Sequence, residues 1–442
     1  MTGVFSYILG VLVVVLGVAI SIGLHELGHL LPAKLFGVRV TKYMIGFGPT
    51  LWSRKRGETE YGIKAIPLGG YISISGMMPP EEALVAKRAG AGNWFTRWVS
   101  DARKAQRAND GEYDDARAFY RISVPKKITV MLGGPVMNLL LGVIFTLIAL
   151  CGLGTVQNST QVAQVFACVP NPYTTVNCQP GDQVSPAQVA GLKANDKIVE
   201  FNGQAVTNWL QTKKLLNATD GSPVRLTVLR SGERVALTVT PVMREVALMD
   251  DQTGAPLKDA AGNAVQGMRP VLGISLKTEV APMSVSGAFQ TMGQELAQTA
   301  GMIISLPQQT AQLATNLFTG APRDANGPVS IVGVGDIAGN LASNGSFSLV
   351  NKAFTFLMML GSLNFALFVF NVVPLLPLDG GHVLNALYEG TKRGIFKLLG
   401  KADPGPVDTG KMVPFTTAMW GILMILSLLF ITADLVSPVR IG

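Results

Sequence analysis

Four apolar stretches dominate the hydrophobic pattern of the chain, and each is long enough to cross a lipid bilayer. A transmembrane helix needs about 20 predominantly apolar residues, because its backbone polar groups must be bonded within the helix. The pattern therefore predicts a polytopic α-helical membrane protein with about four transmembrane helices. The stretches are Val4–Leu24, Ile128–Leu153, Ala353–Leu378 and Val413–Ala433.

A different pattern follows the first stretch, where glycines alternate with short apolar runs across Val38–Ser75. Such spacing is typical of strands joined by turns. Irregular backbone survives at membrane depth only where protein or water satisfies it, so we expect a membrane-associated β-hairpin. Glycines let another backbone approach closely, which makes Gly46, Phe47 and Gly48 the candidate strand edge for an extended substrate. A plain cytoplasmic hairpin is the alternative.

The region between the second and third stretches predicts a β-rich domain. Strand-like runs at Val224–Leu229 and Arg234–Thr240 flank a turn that contains Gly232. The segment Ala187–Gly203 has the pattern A-x-x-A-G-L-x-x-x-D-x-I-x-x-x-N-G and resembles a PDZ domain. Such domains bind extended peptides by strand addition, so a peptide is a candidate ligand. Further along, Ser284–Leu317 predicts an amphipathic helix at the outer membrane interface.

Composition and charge support the membrane assignment. The 442 residues are 48% hydrophobic but only 14% charged, whereas an ordinary soluble domain has about 25% charged residues. The net charge is +8, and Lys and Arg concentrate in residues 34–64, 87–127 and 392–411. The positive-inside rule predicts that these segments are cytoplasmic, with both termini and Thr155–Lys352 outside. We expect a multi-pass protein of the cell membrane whose first stretch is retained, since no Lys or Arg precedes it as in a signal peptide.

The predicted cytoplasmic loop Pro79–Arg121 carries Trp94, Phe95 and Trp98 among basic residues. This combination predicts a helix lying on the membrane surface, with lipid as its partner. Acidic residues interleave with the basic ones, so a nucleic-acid partner is not expected.

Two of the three cysteines, Cys168 and Cys178, flank Val169–Asn177 in the predicted outer region. A disulfide would persist there, although the sequence alone leaves the pairing open.

Candidate chemistry lies at the end of the first stretch, in the motif His25-Glu26-Leu27-Gly28-His29. Residues four apart share a helix face, so His25 and His29 can present two imidazole nitrogens to one metal ion. Glu26 lies beside them and could take the proton of a water that zinc polarises, as in metal-assisted peptide hydrolysis. Two ordinary helix histidines are the alternative. The metal is favoured, because the chain has only 3 His and ionisable residues beside a membrane span tend to be functional.

Catalytic zinc usually takes three protein ligands, so a third is expected elsewhere in the chain. Asp379 is the candidate, since it is the only acidic residue at the third stretch and has the same predicted cytoplasmic depth as the histidines. Its Asp-Gly-Gly sequence also fits simple helix termination. His382 is the rival ligand and ranks below Asp379. Asn371 is a candidate substrate contact, with packing between helices as the alternative.

These motifs resemble the site-2 protease family, in the bacterial branch that includes the regulator of sigma-E protease and its actinobacterial relatives. The resemblance depends on H-E-x-x-H in a first span, the PDZ-like unit, and N-x-x-P-x-x-P-L-D-G from Asn371 to Gly380. Residues 133–138, Gly-Gly-Pro-Val-Met-Asn, are similar to the family's G-P-x-x-N element. Residues 46–49 and 67–71 are similar to its membrane-reentrant β-hairpin.

The resemblance implies an intramembrane zinc endopeptidase that cleaves single-span membrane proteins, often anti-sigma factors, in regulated intramembrane proteolysis. It implies Zn²⁺ as cofactor, His25, His29 and Asp379 as ligands, Glu26 as the base and Asn371 as a substrate contact. Some relatives carry two PDZ-like units in tandem, whereas one is found here. A catalytically inactive PDZ-bearing membrane scaffold is the alternative function, and the intact motif argues against it. A transporter is disfavoured because the spans show no paired repeats.

The expected domain layout places the active site near the cytoplasmic side of the membrane. Its segments are 1–78, the first transmembrane helix with the reentrant hairpin; 79–127, a cytoplasmic loop; 128–154, the second transmembrane helix; 155–245, an extracytoplasmic PDZ-like domain; 246–352, an extracytoplasmic linker with the interfacial helix; 353–391, the third transmembrane helix with the Leu-Asp-Gly-Gly motif; 392–412, a cytoplasmic loop; and 413–442, the fourth transmembrane helix and an outer tail.

Overall fold

A computed structural model describes residues 2–84, 94–110, 114–169, 178, 182–248, 257, 259, 264–320 and 327–438. The helices are α1 (Thr2–Leu35), α2 (Trp94–Asp110), α3 (Val124–Leu147, continued by a π-helical turn at Ile148–Leu153), α4 (Pro186–Val189), α5 (Trp209–Asn217), α6 (Val285–Thr319), α7 (Ile331–Ser343), α8 (Leu349–Val372), α9 (Asp379–Leu398) and α10 (Val413–Val436). The strands are β1 (Val40–Arg56), β2 (Thr59–Ile74), β3 (Thr155–Val165), β4 (Cys168–Val169), β5 (Gln183–Val184), β6 (Lys197–Phe201), β7 (Gln204–Ala205), β8 (Val224–Arg230), β9 (Glu233–Val239), β10 (Val242–Ala247), β11 (Gln266–Val271) and β12 (Ile274–Ala281).

The chain separates into two compact units. The first contains Met1–Ala149 and Met292–Gly442, and the second contains Leu150–Thr291. The predicted outer domain, 155–245, ends before the last strand of the sheet that it contains. Strand β12 pairs antiparallel with β3, the first strand of the second unit, so residues up to 281 belong to the same sheet.

Four of the described helices are long and apolar enough to cross a membrane, which agrees with the four predicted stretches. They are Gly3–Leu35, Val124–Leu153, Leu349–Val372 and Thr409–Val436. The first is one continuous helix through the H-E-x-x-H motif, with Pro32 inside it.

The predicted third segment, 353–391, is divided into two helices. Helix α8 ends at Val372, and Asp379 begins α9 rather than ending a span. The break has a sequence cause, because Pro374 and Pro377 cannot donate a backbone hydrogen bond and disfavour a helical residue before them. Helix α9 then continues to Leu398, into the segment predicted as a cytoplasmic loop.

Helices α1 and α3 approach closely at two glycines. A Cβ on Gly28 would overlap the carbonyl group of Gly133, and a Cβ on Gly133 would overlap that of Gly28. Small residues permit this approach between membrane helices. On another side of α1, the buried side chain of Asn364 in α8 donates from Nδ2 to Ser21 Oγ at 2.9 Å. Ser21 lies one helical turn before His25, so α3 and α8 both hold the motif-bearing end of α1.

Strands β1 and β2 form the predicted antiparallel hairpin, and both strands bend strongly. Residues 42–45 pair with residues 60–63 on one side and with residues 70–73 on the other. The bends occur where Gly46 and Gly48 adopt φ values of 93° and 83°, which glycine tolerates without strain. Residues 70–74 therefore form one edge of the resulting sheet, and residues 50–56 form the opposite edge.

The second unit is built on a sheet with the strand order β12-β3-β6-β8-β9, with β7 beside β6. The β8–β9 turn has positive φ at Ser231 and Gly232, as in the type I′ turns that match strand twist. Cys168 and Cys178 form a disulfide bond. Burial alone would raise the pKa of Asp196, but hydrogen bonds from Arg230 and from the Lys193 N–H hold that pKa below its ordinary value.

Of the remaining helices, α2 and α6 were predicted from the sequence and α7 was not. A helix is present within Pro79–Arg121 as α2, and its Trp94 side chain is exposed. Its position on the membrane surface stays a prediction. The helix expected at Ser284–Leu317 is α6. Parts of the loop, at 85–93 and 111–113, and the tail at 439–442 lie outside the described residues.

Candidate metal centre

Helices α1 and α9 bring three potential metal ligands together. The Nε2 atoms of His25 and His29 are 3.2 Å apart, as expected for residues one turn apart on the same helix face. Asp379, the first residue of α9, places Oδ2 at 3.3 Å from each of these nitrogens. Within the described parts of the chain, this is the group of histidine and acidic side chains that could hold a metal ion.

The spacing and the donor set fit zinc. Ligand atoms about 2.0–2.1 Å from a tetrahedral zinc ion lie about 3.3 Å from one another, and two histidines with a carboxylate are an established catalytic set. Asp379 Oδ2 is buried and has no hydrogen-bond partner despite its two close imidazole neighbours. A buried carboxylate oxygen facing two nitrogen atoms is costly unless a cation lies among them.

Helix α3 fixes the orientation of both imidazoles. Nδ1 of His29 lies 2.8 Å from the carbonyl oxygen of Val130 and donates its hydrogen to it. That bond leaves Nε2 unprotonated and directed towards Asp379. The side-chain amide of Asn138 lies 3.1 Å from Nδ1 of His25, and Asn138 Oδ1 has no other partner. A half-turn of the side-chain amide exchanges Oδ1 and Nδ2 of Asn138. In that orientation Oδ1 accepts a hydrogen bond from the Nδ1–H of His25, which leaves Nε2 of His25 free to bind a metal as well.

A glycine in α3 provides the space that the imidazoles occupy. A Cβ on Gly134 would overlap Nε2 of His29 and would lie 2.7 Å from Nε2 of His25. Val130, Gly134 and Asn138 are spaced by four residues and therefore share one face of α3. No role was predicted for these three residues from the sequence, although the G-P-x-x-N resemblance covers Gly134 and Asn138.

Glu26 lies between the metal-binding residues and the hairpin. Its side chain lies against the sheet edge at residues 70–74 of the hairpin. A Cβ on Gly70 would lie 3.0 Å from Glu26 Cγ, so the glycine lets this edge approach the glutamate. The proposed base therefore neighbours a strand edge that pairs with no further strand among the described residues.

The four residues predicted to contact the substrate lie in two places, three in the hairpin and one at the end of α8. Phe47 pairs with Ile66 inside the hairpin, and the carbonyl of Gly48 accepts from Lys64 Nζ at 3.1 Å. The edge at Gly46, Phe47 and Gly48 is thus partly occupied by the chain itself. Asn371 lies half-buried in the last turn of α8. Substrate binding by these four residues stays a prediction.

The rival ligand, His382, lies one turn into α9, on the same helix face as Asp379. It lines a cavity of about 30 Å³ together with Lys127, Asn385 and Glu389. The structure thus places Asp379, and not His382, in the three-residue group.

A metal-binding site at the end of a membrane-length helix defines the class of protein as a membrane metalloenzyme. A sequence profile described as Peptidase family M50 matches residues 13–400. The chain therefore belongs to peptidase family M50, the site-2 protease family, as the sequence motifs predicted.

Relatives cover the chain from end to end. Zinc metalloprotease Rip1 of Mycobacterium tuberculosis is 30% identical over 444 residues, which cover 98% of this chain and 99% of the relative. Zinc metalloprotease Rip1 of Mycolicibacterium smegmatis is 31% identical over 446 residues, with 98% of each chain covered. The protein is accordingly a zinc metalloprotease with several membrane-spanning helices, and zinc is its cofactor.

Proposed function

We propose that the protein is an intramembrane endopeptidase that cleaves single-span membrane proteins, such as anti-sigma factors, during regulated intramembrane proteolysis. His25, His29 and Asp379 are the zinc ligands, and Glu26 is the general base. One observation supports this most strongly: Asp379 Oδ2 is buried without a hydrogen-bond partner, 3.3 Å from both imidazole nitrogens. The site belongs to a helix of membrane length, which supports a substrate whose cleaved segment also lies in the membrane.

The chemistry divides between the ion and the side chains. Zinc, when bound, polarises water and the carbonyl group that the water attacks. Glu26 takes the proton of the attacking water and returns it to the nitrogen of the leaving peptide. Gly70 lets the sheet edge lie against the side chain of Glu26. Val130 and Asn138 keep Nδ1 of the two imidazoles occupied by hydrogen bonds, so that both Nε2 atoms remain available.

A transmembrane substrate must be unwound before it can be cut, because helical hydrogen bonds shield its peptide groups. The free sheet edge at residues 70–74 could hold the unwound segment by main-chain hydrogen bonds, next to Glu26. This edge is a better-placed clamp than Gly46-Phe47-Gly48, because the latter already bonds to β2. Asn371 remains a candidate second contact, from the end of α8.

The second unit is proposed to lie outside the cytoplasm and to bind peptides as a PDZ-like domain. The disulfide between Cys168 and Cys178 supports an outer location, since disulfides persist in oxidising compartments. The basic residues of the connecting loops support a cytoplasmic location for the metal centre.

The chemical assignment is tested with Glu26→Gln in proteoliposomes that contain a single-span reporter substrate. Glu26→Gln should keep zinc but lose cleavage by at least about 100-fold, because an amide cannot accept the proton. Glu279→Gln, an exposed glutamate in β12, serves as the control and should cleave normally. A parent protein that binds zinc but cleaves nothing would favour the inactive scaffold. Substantial cleavage by Glu26→Gln would remove Glu26 from the base role.

The clamp is tested by disulfide trapping on the inactive Glu26→Gln background. Two serines occupy opposite edges of the same sheet: Ser73 on the edge near Glu26 and Ser53 on the far edge. A cysteine at Ser73 should form a mixed disulfide with cysteines near the scissile bond of the substrate. A cysteine at Ser53 should not. Equal trapping at both edges would show that the substrate does not add to the sheet at residues 70–74.

A further inference from the structure

Helices α3 and α9 are joined by a buried ion pair outside the three-residue group. Nζ of Lys127 lies 2.8 Å from each carboxylate oxygen of Glu389, and both side chains are 5% exposed. Glu389 also accepts from the Val407 N–H at 3.3 Å and lies 3.4 Å from Arg393.

Local helix stability does not explain this pair. Lys127 lies in the first turn of α3, where the positive end of the helix dipole disfavours a cation. Burying two charges costs several kcal/mol per ion by typical values, and well-packed apolar side chains are often at least as stabilising. Stability is therefore not a sufficient reason for the Lys127–Glu389 pair, and a role in positioning α3 and α9 is considered instead.

The two helices that the pair joins both contribute to the metal centre. Val130, whose carbonyl holds His29, follows Lys127 by three residues in α3. Asp379 begins α9, the helix that carries Glu389 ten residues further on, nearly three turns away. The pair thus links the helix that orients the imidazoles to the helix that supplies the carboxylate.

A small cavity borders the pair. It has a volume of about 30 Å³ and is lined by Lys127 from α3 and by His382, Asn385 and Glu389 from α9. It has room for about one water molecule. Lys127 is therefore the α3 residue at this cavity, and its bond to Glu389 is a polar link between the two helices there.

We infer that Lys127 and Glu389 are positioning residues for the zinc site, which set the distance between Asp379 and the two imidazoles. This inference rests on the proposed ligand set of His25, His29 and Asp379. It predicts that loss of the pair weakens zinc binding without unfolding the protein, because Glu389 keeps Val407 and Arg393 as partners.

The test measures zinc affinity by competition with a chelator and ligand geometry by the visible spectrum of the Co²⁺-substituted protein. Lys127→Met should raise the zinc dissociation constant by up to about 10-fold, the lower end of the loss seen when a partner of a metal ligand is removed, because Lys127 contacts no ligand itself. It should also alter the Co²⁺ spectrum. Lys127→Arg, which keeps the charge, should retain both properties. In the double variant with Glu389→Gln, the second change should add little, since the two residues act as one unit.

Arg234→Met is the control, because it removes a 2.9 Å ion pair with Glu200 in the second unit and should leave zinc affinity unchanged. A folded Lys127→Met protein with parental zinc affinity and Co²⁺ spectrum would overturn the inference. Should that variant fail to fold, Glu389→Gln carries the same expectation and the same refutation. His29→Ala tests the ligand set separately: normal zinc affinity there would defeat the proposed site itself.

Discussion

Gly134→Ala is the smallest change that should disable the metal centre. The added Cβ would overlap Nε2 of His29 and lie 2.7 Å from Nε2 of His25, whereas ordinary contacts begin at 3.4 Å. The His25 imidazole or α3 would therefore have to move by roughly 0.7 Å, and the His29 imidazole by more, while a misplacement near 1 Å can cost about 100-fold in rate. Overpacking of this kind also costs about 1–3 kcal/mol in stability.

The assay compares Gly134→Ala with Gly421→Ala, an alanine substitution in α10. A Cβ on Gly421 meets no atom within 4 Å, so the exchange should be tolerated and stabilise the helix by about 0.5–1 kcal/mol. Zinc per protein is measured by mass spectrometry of the metal, cleavage in proteoliposomes, and folding by thermal melting. Gly134→Ala should lose bound zinc and most cleavage while it still melts cooperatively. If Gly134→Ala keeps parental zinc content and cleavage, α3 does not enclose the imidazoles as described.

Two further predictions concern the third ligand and the membrane topology. Asp379→Ala should lower bound zinc together with activity, whereas His382→Ala should leave most of the metal in place, because His382 borders the neighbouring cavity. The opposite result in metal analysis would move the ligand assignment to His382. Single cysteines in α2 should react with membrane-impermeant reagents only from the cytoplasmic side, and those in β8 or β9 only from the outer side. Reversed labelling would contradict the orientation expected from Lys and Arg.

Some of this architecture could be predicted from the sequence because it depends on one segment at a time. The spans follow from their length and composition, and the pairing of His25 with His29 follows from helical spacing. The choice of Asp379 over His382 rested on its being the only acidic residue in that region. The break between Val372 and Asp379 was missed, although Pro374 and Pro377 mark it, because apolar residues continue through it.

Other parts of the site depend on contacts between distant segments, so no pattern within a single segment predicts them. Val130, Gly134 and Asn138 share a face of α3, but inside an apolar span a valine or a glycine is unremarkable. The free sheet edge beside Glu26 could not be located, because the pairing of the bent strands decides which edge is occupied. Likewise, β12 was predicted to be part of the linker at 246–352. Only its pairing with β3 shows that it belongs to the sheet of the second unit.

The polar atoms of the site show why three helices are needed to build it. Each polar group at membrane depth requires a partner, since neither water nor lipid supplies one freely. Nδ1 of His29 bonds to the Val130 carbonyl, the Asn138 amide contacts Nδ1 of His25, and Asn364 bonds to Ser21. Asp379 Oδ2 is buried without a hydrogen-bond donor, as are Asn138 Oδ1 and Asn364 Oδ1, but of these three atoms it is the one that belongs to a carboxylate. Helix α1 can present two nitrogens alone, but only α3 can orient them and only α9 can add the charge that a zinc cation balances.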